Sequence, residues 1–313
     1  MSILSVGMAF CDIPLRPCPA NIMELDNYMI DTVEAHTGGD ALTVAVVLAK
    51  MGENVSLLVK VGDDGNGRFV LNELVKNRVN CDRMMVEKDY STATSYQLIE
   101  EDGQRHFLVD CRINSLLKNA DVPEDAIAGA DLVFFGSALA LAGMDDAEIA
   151  ALFRRTHEHG RLTAMDASVA VKDNAECKMD LLRETLQYTD IFIPSYEEAS
   201  YLAQKTDIQD IMEAFSSFPL KVFGIKLGGD GCILTEDFKN YVRLKPYPGV
   251  QVVDTTGAGD CFMGGFLCAY LKGWTLEECG KFATAVAAFG ISAVGPSTAV
   301  PDFDTVVQFM KEH

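Results

Sequence analysis

The sequence predicts an α/β protein: a mostly parallel sheet with helices on both faces, and a small second sheet. Short apolar runs, too short for helices, alternate along the chain with stretches of helical period, as successive βαβ units do. One pair of β-rich runs, 92–100 and 105–110, is separated only by Glu101-Asp102-Gly103-Gln104 and reads as a hairpin with no helix between. The chain has 313 residues, 49% of them hydrophobic, enough to bury a substantial core.

In order, residues 3–8 form a first buried strand, and Asp12 lies just beyond its end, where open α/β sheets receive ligands. Residues 14–36 carry three prolines and read as an excursion from the sheet. Thr37-Gly38-Gly39-Asp40 leads into a helix whose apolar face is Leu42, Ala45, Val46 and Ala49, ending near Gly52. Residues 54–61 are strand-like, 62–67 a turn, and 69–76 helical. Strands recur near 131–135, 162–165, 191–193 and 222–226. A β-like run at 250–253 then joins through a turn to a helix at about 261–271. From Thr275 onward the pattern is helical, punctuated by Pro296 and Pro301. With no repeat or linker composition, one domain spans 1–313, its second sheet drawn from segments at about 14–36 and 92–112.

A formal charge of −20 argues against nucleic-acid and anionic-membrane partners, which need basic surfaces. It leaves local phosphate binding by backbone N–H groups open. Nine cysteines without a C-x-x-C pair or zinc spacing read as reduced thiols. The absence of a basic leader and of an apolar run near 20 residues predicts a soluble, cytoplasmic protein.

The chemistry centres on Asp254-Thr255-Thr256-Gly257-Ala258-Gly259-Asp260-Cys261-Phe262. Glycines flanking Ala258 permit a tight bend that exposes N–H groups at a helix start, where the helix dipole favours an anion. Asp260 beside that anion site is a general-base candidate, although Asp and Gly also serve as ordinary capping residues. The string resembles the D-T-x-G-A-G-D signature of the PfkB/ribokinase family of small-molecule kinases. The resemblance implies that Gly257, Ala258 and Gly259 hold the transferring phosphoryl charge, that Asp260 takes the acceptor hydroxyl's proton, and that Asp254 helps hold a monovalent cation such as K+.

Further motifs follow in the family's order. Gly38-Gly39 with Ala45 resembles the G-G-x-x-x-N-x-A signature of the acceptor site, with Thr43 where the family has Asn. Pro194-Ser195-Tyr196-Glu197-Glu198-Ala199 resembles P-N-x-x-E-A, implying that Glu198 organises Mg2+ through water, with Ser195 at the Asn position. Lys226-Leu227-Gly228-Gly229-Asp230-Gly231 resembles the K-x-G-x-x-G turn of the nucleotide site. Asp166 matches the start of D-x-N-x-R, with Ser168 again replacing Asn.

The resemblance implies a ribokinase-like three-layer α/β/α domain with a β-sheet lid, and phosphoryl transfer from ATP, with Mg2+, to a hydroxyl of a sugar or polyol. Acceptor-binding candidates are Asp12, Gly38, Gly39, Asp40, Thr43 and Arg105; nucleotide candidates are Ser195, Lys226, Gly228, Gly229, Gly231 and Thr256. Alternatives are a nucleoside kinase, with Phe10, Tyr28 and Tyr96 stacking on a base, and a sugar-binding regulatory protein with weakened turnover. The first excursion offers only Arg16 as a permanent cation, the second Arg105 and Arg112, while Asp12 and Asp40 put negative charge beside the pocket. An uncharged acceptor is therefore expected, in a homodimer paired through the lid.

Overall fold

In the computed structural model, which describes residues 1–101, 104–168 and 177–313, an eight-stranded sheet forms the centre of the molecule. Its order is Val242–Leu244, Cys232–Thr235, Val222–Lys226, Ile191–Phe192, Leu162–Ala167, Leu132–Ala138, Ser2–Val6, Asn54–Leu58. The last six of these run parallel, and the first two close one edge antiparallel. The central strands are apolar on both sides because helices cover both faces. Leu132–Ala138 is buried along its whole length.

The helices Asp40–Lys50, Ala258–Leu271 and Leu276–Gly290 pack on one face. On the other lie Asp146–Glu158, Tyr196–Ala203 and Ile208–Phe215, around a cluster in which the Phe215 and Phe223 rings stack at 4.6 Å. The resulting three layers make a ribokinase-like α/β fold with a mostly parallel sheet. Gly264 and Gly265 allow the helix Ala258–Leu271 to approach both neighbours. A Cβ on Gly264 would lie 2.6 Å from Val47, and one on Gly265 2.9 Å from Val286. This contact brings the N-terminal ends of Asp40–Lys50 and Ala258–Leu271 side by side at the carboxyl edge of the sheet.

The second sheet has five strands: Phe10–Arg16 pairs with Thr32–Val33, with His36–Gly38 and with Thr94–Ile99, and the last pairs with Arg105–Asp110. Asp12, just beyond the first strand, sits within a strand of this second sheet, paired opposite His36. The run 54–61 divides into Asn54–Leu58 in the large sheet and Lys60–Gly62 in a two-stranded sheet with Met85–Glu87. The helix expected from 69 begins at Gly65, where Asp64 caps it by accepting from Gly67 N at 2.8 Å.

One expected strand is not formed. Residues 250–253 lie in a loop, and the N–H groups of Val253 and Asp254 donate to the Ile291 carbonyl, at 2.8 and 3.2 Å, instead of to a strand. Ile291 is the C-cap of the helix Leu276–Gly290, so the loop N–H groups satisfy a free carbonyl at a helix end. Among the described residues no helix is long and apolar enough to cross a membrane.

Candidate active site

The turn 254–260 is the partition of the site. Gly257 is the N-cap of Ala258–Leu271 at φ +74°, a left-handed conformation, and a side chain there would overlap Pro296. Asp254 braces the turn, accepting from Thr256 N at 3.0 Å and from Gly295 N at 3.1 Å. Asp254 and Thr256 face a cavity of about 500 Å³ under the second sheet. Thr255, Ala258 and Gly259 face another of about 510 Å³ on the opposite side.

The cavity under the second sheet is polar, lined by Asp12, Asp31, Glu100, Glu101 and Asp254, with Arg16, His36 and Gln97 among its other walls. Asp12 is buried with its carboxyl against Gly38, where any side chain would collide with it. Burial, then the charge of Asp254, lifts the Asp12 pKa to about 7, against a bond from Gln97 that favours the ionised form. Gly39 caps the helix Asp40–Lys50 at φ +94°, and a Cβ there would lie 2.6 Å from the Met8 carbonyl oxygen.

The opposite cavity is mostly apolar. Tyr247, Val250, Val252, Phe262, Ala287 and Ile291 contribute to it, and Lys226, Gly228, Gly229 and Gly231 form one side. Gly228 at φ +55° and Gly229 face open space, as a close approach of backbone to a flat ligand requires. A groove of about 960 Å³ continues from Lys226 and Gly259 past Ser195 to Asp207.

Next to the turn lies a knot of charge formed by Asp260, Asp40, Asp166, Glu198 and Lys226. Asp260 is half-buried in the first turn of its helix. Its pKa is raised well above the ordinary value by burial and then by the charges of Asp40 and Asp166, with Lys226 acting in the other sense and Glu198 adding to the rise. Asp40 accepts a 2.5 Å bond from the Ser137 hydroxyl. Ser137 is fully buried at φ +68°, a strained conformation of the kind found near functional sites.

The remaining sequence candidates divide. Thr256 lies on the wall of the polar cavity, not of the apolar one. Gly38, Gly39 and Asp40 line none of the three cavities. Thr43 is buried with its hydroxyl unpartnered. Ser195 and Glu198 form a capping box: Glu198 Oε2 accepts from Ser195 N at 2.7 Å, and Ser195 Oγ accepts from Glu198 N at 3.3 Å. Arg105 begins the strand Arg105–Asp110, but its side chain lies outside the described residues, as do residues 169–170 of the motif that starts at Asp166. No group of three or more His, Cys, Asp or Glu side chains among the described residues is arranged to hold a metal. Sequence reasoning missed His36, Gln97, Ser137 and Tyr247, which belong to no motif.

The model of the pfkB family of carbohydrate kinases matches residues 3–302. The chain belongs to the PfkB family. It is a phosphotransferase of the sugar- and nucleoside-kinase kind. It is 29% identical to an uncharacterised sugar kinase of Archaeoglobus fulgidus over 81% of this chain and 98% of that one. Identity to a nucleoside kinase of Methanothermobacter thermautotrophicus is 28%, over 87% and 83% of the two chains. Among solved structures, an E. coli ribokinase II-type protein in complex with ATP and Mg2+ superposes with a TM-score of 0.85 at 19% identity, covering 100% and 99% of the two chains. At that identity the likeness bears on the fold.

Proposed function

We propose that this kinase transfers the terminal phosphoryl group of ATP to a hydroxyl of a small uncharged sugar or polyol. The observation that carries the reading is the partition: one turn borders a polar cavity through Asp254 and Thr256 and an apolar one through Thr255, Ala258 and Gly259, and Asp260 follows directly in the first turn of the helix. The acceptor oxygen attacks the terminal phosphorus, the bond from that phosphorus to the ADP oxygen breaks, and Asp260 takes the hydroxyl proton. A raised pKa makes Asp260 a stronger base than an ordinary carboxylate. The N–H groups of Gly257, Ala258 and Gly259 at the helix start stabilise the moving charge, and positioning supplies the rest.

Gly228, Gly229 and Gly231 form the cradle for the nucleotide, and Ser195 stands on its phosphate side. Mg2+ entering with the triphosphate would neutralise phosphate charge, with Glu198 organising it through water. Asp254 is the candidate for a monovalent cation such as K+.

Five carboxylates line the acceptor cavity against one arginine among the described residues, a balance that favours hydroxyl donors over a second phosphate. A nucleoside acceptor is less supported, since no Phe, Tyr or Trp among the described residues lines that cavity. The retained Asp260 and glycine turn argue for turnover rather than binding alone.

The whole chain acts as one catalytic domain with the second sheet as its lid. That lid exposes Val33, Tyr96, Phe107, Leu108 and Val109, and pairing with a second copy would cover them. The described cysteines are all free, which supports a reducing cytoplasmic setting. The deciding experiment is acceptor-dependent ADP release with Mg2+, comparing neutral hexoses, pentoses and nucleosides with fructose 6-phosphate and tagatose 6-phosphate. A higher kcat/KM for a phosphosugar would refute the acceptor class, and no acceptor-dependent release would refute transfer itself.

A further inference from the structure

Lys226 ends the strand Val222–Lys226, and its backbone is fixed beside the phosphate groove, since its N–H donates to the Pro194 carbonyl at 2.8 Å. Its ammonium is bonded to the carboxylate of Asp166, with the side chains 12% and 4% exposed. The same ammonium lies against the anion turn: a Cβ built on Gly259 would be 3.2 Å from Lys226 Nζ. Lys226 lines both the groove and the apolar cavity, whereas Asp166 lines neither. The other Asp166 oxygen accepts from the neighbouring Ala167 N–H at 3.0 Å, and among the described residues Lys226 is the one side chain bonded to this carboxylate.

A buried ion pair is a poor way to add stability, because desolvating two charges offsets most of their attraction. The pair needs another reason. Asp260, Glu198 and Asp166 all act on Lys226, and burial opposes its charge, yet the carboxylates outweigh burial and keep the ammonium protonated. Were Asp166 absent, the attractive partners left to the ammonium would be Glu198 and then Asp260, the base itself, and an ammonium bonded to Asp260 would make it less basic.

We propose that Asp166 is a positioning residue for phosphoryl transfer: it holds the Lys226 ammonium over the 257–259 turn and off Asp260, so that the ammonium binds the terminal phosphate of the nucleotide. Lys226 changes no covalent bond. The phosphorus exchanges its bond to the ADP oxygen for one to the acceptor oxygen, the proton passes to Asp260, and Lys226 compensates charge on the group in flight. This rests on the nucleotide side of the proposed function and is independent of which acceptor is used.

The test reads nucleotide discrimination without acceptor. Dissociation constants for AMP-PNP and ADP with Mg2+ are measured for the wild type, Lys226→Met, Asp166→Asn and the double variant, with thermal unfolding as the check on folding. Losing one charge-assisted contact to the terminal phosphate lowers the AMP-PNP over ADP preference by about 10- to 100-fold in Lys226→Met. Asp166→Asn gives a loss of similar size, and adding it to Lys226→Met costs nothing more, because Asp166 acts through Lys226. Asp166→Glu, which keeps a carboxylate, recovers part of the preference.

An unchanged preference in Lys226→Met, or an Asp166→Asn loss that persists in the Lys226→Met background, overturns the inference. If Asp166→Asn fails to fold, Lys226→Met and Asp166→Glu decide: an unchanged preference in the first, or a preference lost in Asp166→Glu as fully as in Lys226→Met, overturns it. If wild type discriminates as expected but phosphorylates no sugar, the proposed function falls and this inference stands.

Discussion

Replacing Asp12 by Asn should stabilise the protein at neutral and alkaline pH, the opposite of what most substitutions of buried polar residues do. The folded carboxyl has its pKa lifted from 3.8 to about 7, chiefly by burial and next by Asp254. A carboxyl raised in the folded state binds its proton more tightly there than in the unfolded chain. Its favourable contribution is therefore complete below pH 3.8 and is lost as pH rises through about 7. A shift from 3.8 to about 7 corresponds to about 4 kcal/mol at roughly 1.4 kcal/mol per unit. Asn resembles the protonated carboxyl in shape and does not ionise. The variant and the wild type should thus have similar unfolding free energies near pH 4, and the variant should lead by up to about 4 kcal/mol at pH 8. Urea melts at several pH values between these limits measure the difference, and subtracting the two curves cancels the titrating groups that both proteins share. A gap that does not change with pH would refute the reasoning. On the proposed function, the same substitution raises the acceptor KM, since it removes a carboxylate from the cavity wall.

Three further outcomes are expected. Asp260→Asn folds normally and loses about 10²- to 10⁴-fold in kcat, measured as acceptor-dependent ADP release, because the shape stays and the base goes. Glu198→Gln keeps an oxygen to accept from Ser195 N, so its thermal midpoint stays within a few degrees of wild type; loss of the charge raises the Mg2+ concentration for half-maximal rate more than the acceptor KM. Gly264→Ala lowers stability by about 1–3 kcal/mol in a urea melt, because its new methyl would lie 2.6 Å from Val47 and overpack the contact between the two helices that carry Asp40 and Asp260.

The alternation of strands and helices was legible because the buried strands of a parallel sheet are apolar on both faces and their helices are amphipathic. The errors fall where that signal is ambiguous. Phe10–Arg16 has no clean alternation, its burial running intermediate, buried, buried, intermediate, buried, intermediate, exposed, and Pro14 within it reads as the start of an excursion, so the strand goes unread in the sequence. Pro14 is tolerated because the sheet to which this strand belongs is small and irregular, with Thr32–Val33 and His36–Gly38 pairing different parts of the same strand. Residues 250–253 have the composition of a strand and no strand beside them. Their backbone is satisfied by a helix end, which no local pattern encodes.

At the site, the glycine turn was readable because backbone conformation itself demands glycine at Gly257 and Gly39. Side chains that meet through tertiary structure were not readable, and Ser137 is the clearest case. It lies within the wholly buried strand Leu132–Ala138, so only its backbone strain and its bond to Asp40 distinguish it. The three positions where the family's Asn is replaced have separate local accounts. Ser195 uses its hydroxyl to cap a helix, and the Ser168 N–H donates to the Ala138 carbonyl at 2.8 Å. Thr43 buries a hydroxyl with no partner, a group that costs about 1–3 kcal/mol when left unpaired. Thr43 lies buried on its helix and carries a hydroxyl where Asn would carry an amide. On the proposed function, the hydrogen bonds to the acceptor come from Asp12, Gln97, His36 and the other polar walls of the cavity under the second sheet. On that reading acceptor choice rests on the second sheet, the part of the chain whose sequence pattern says least.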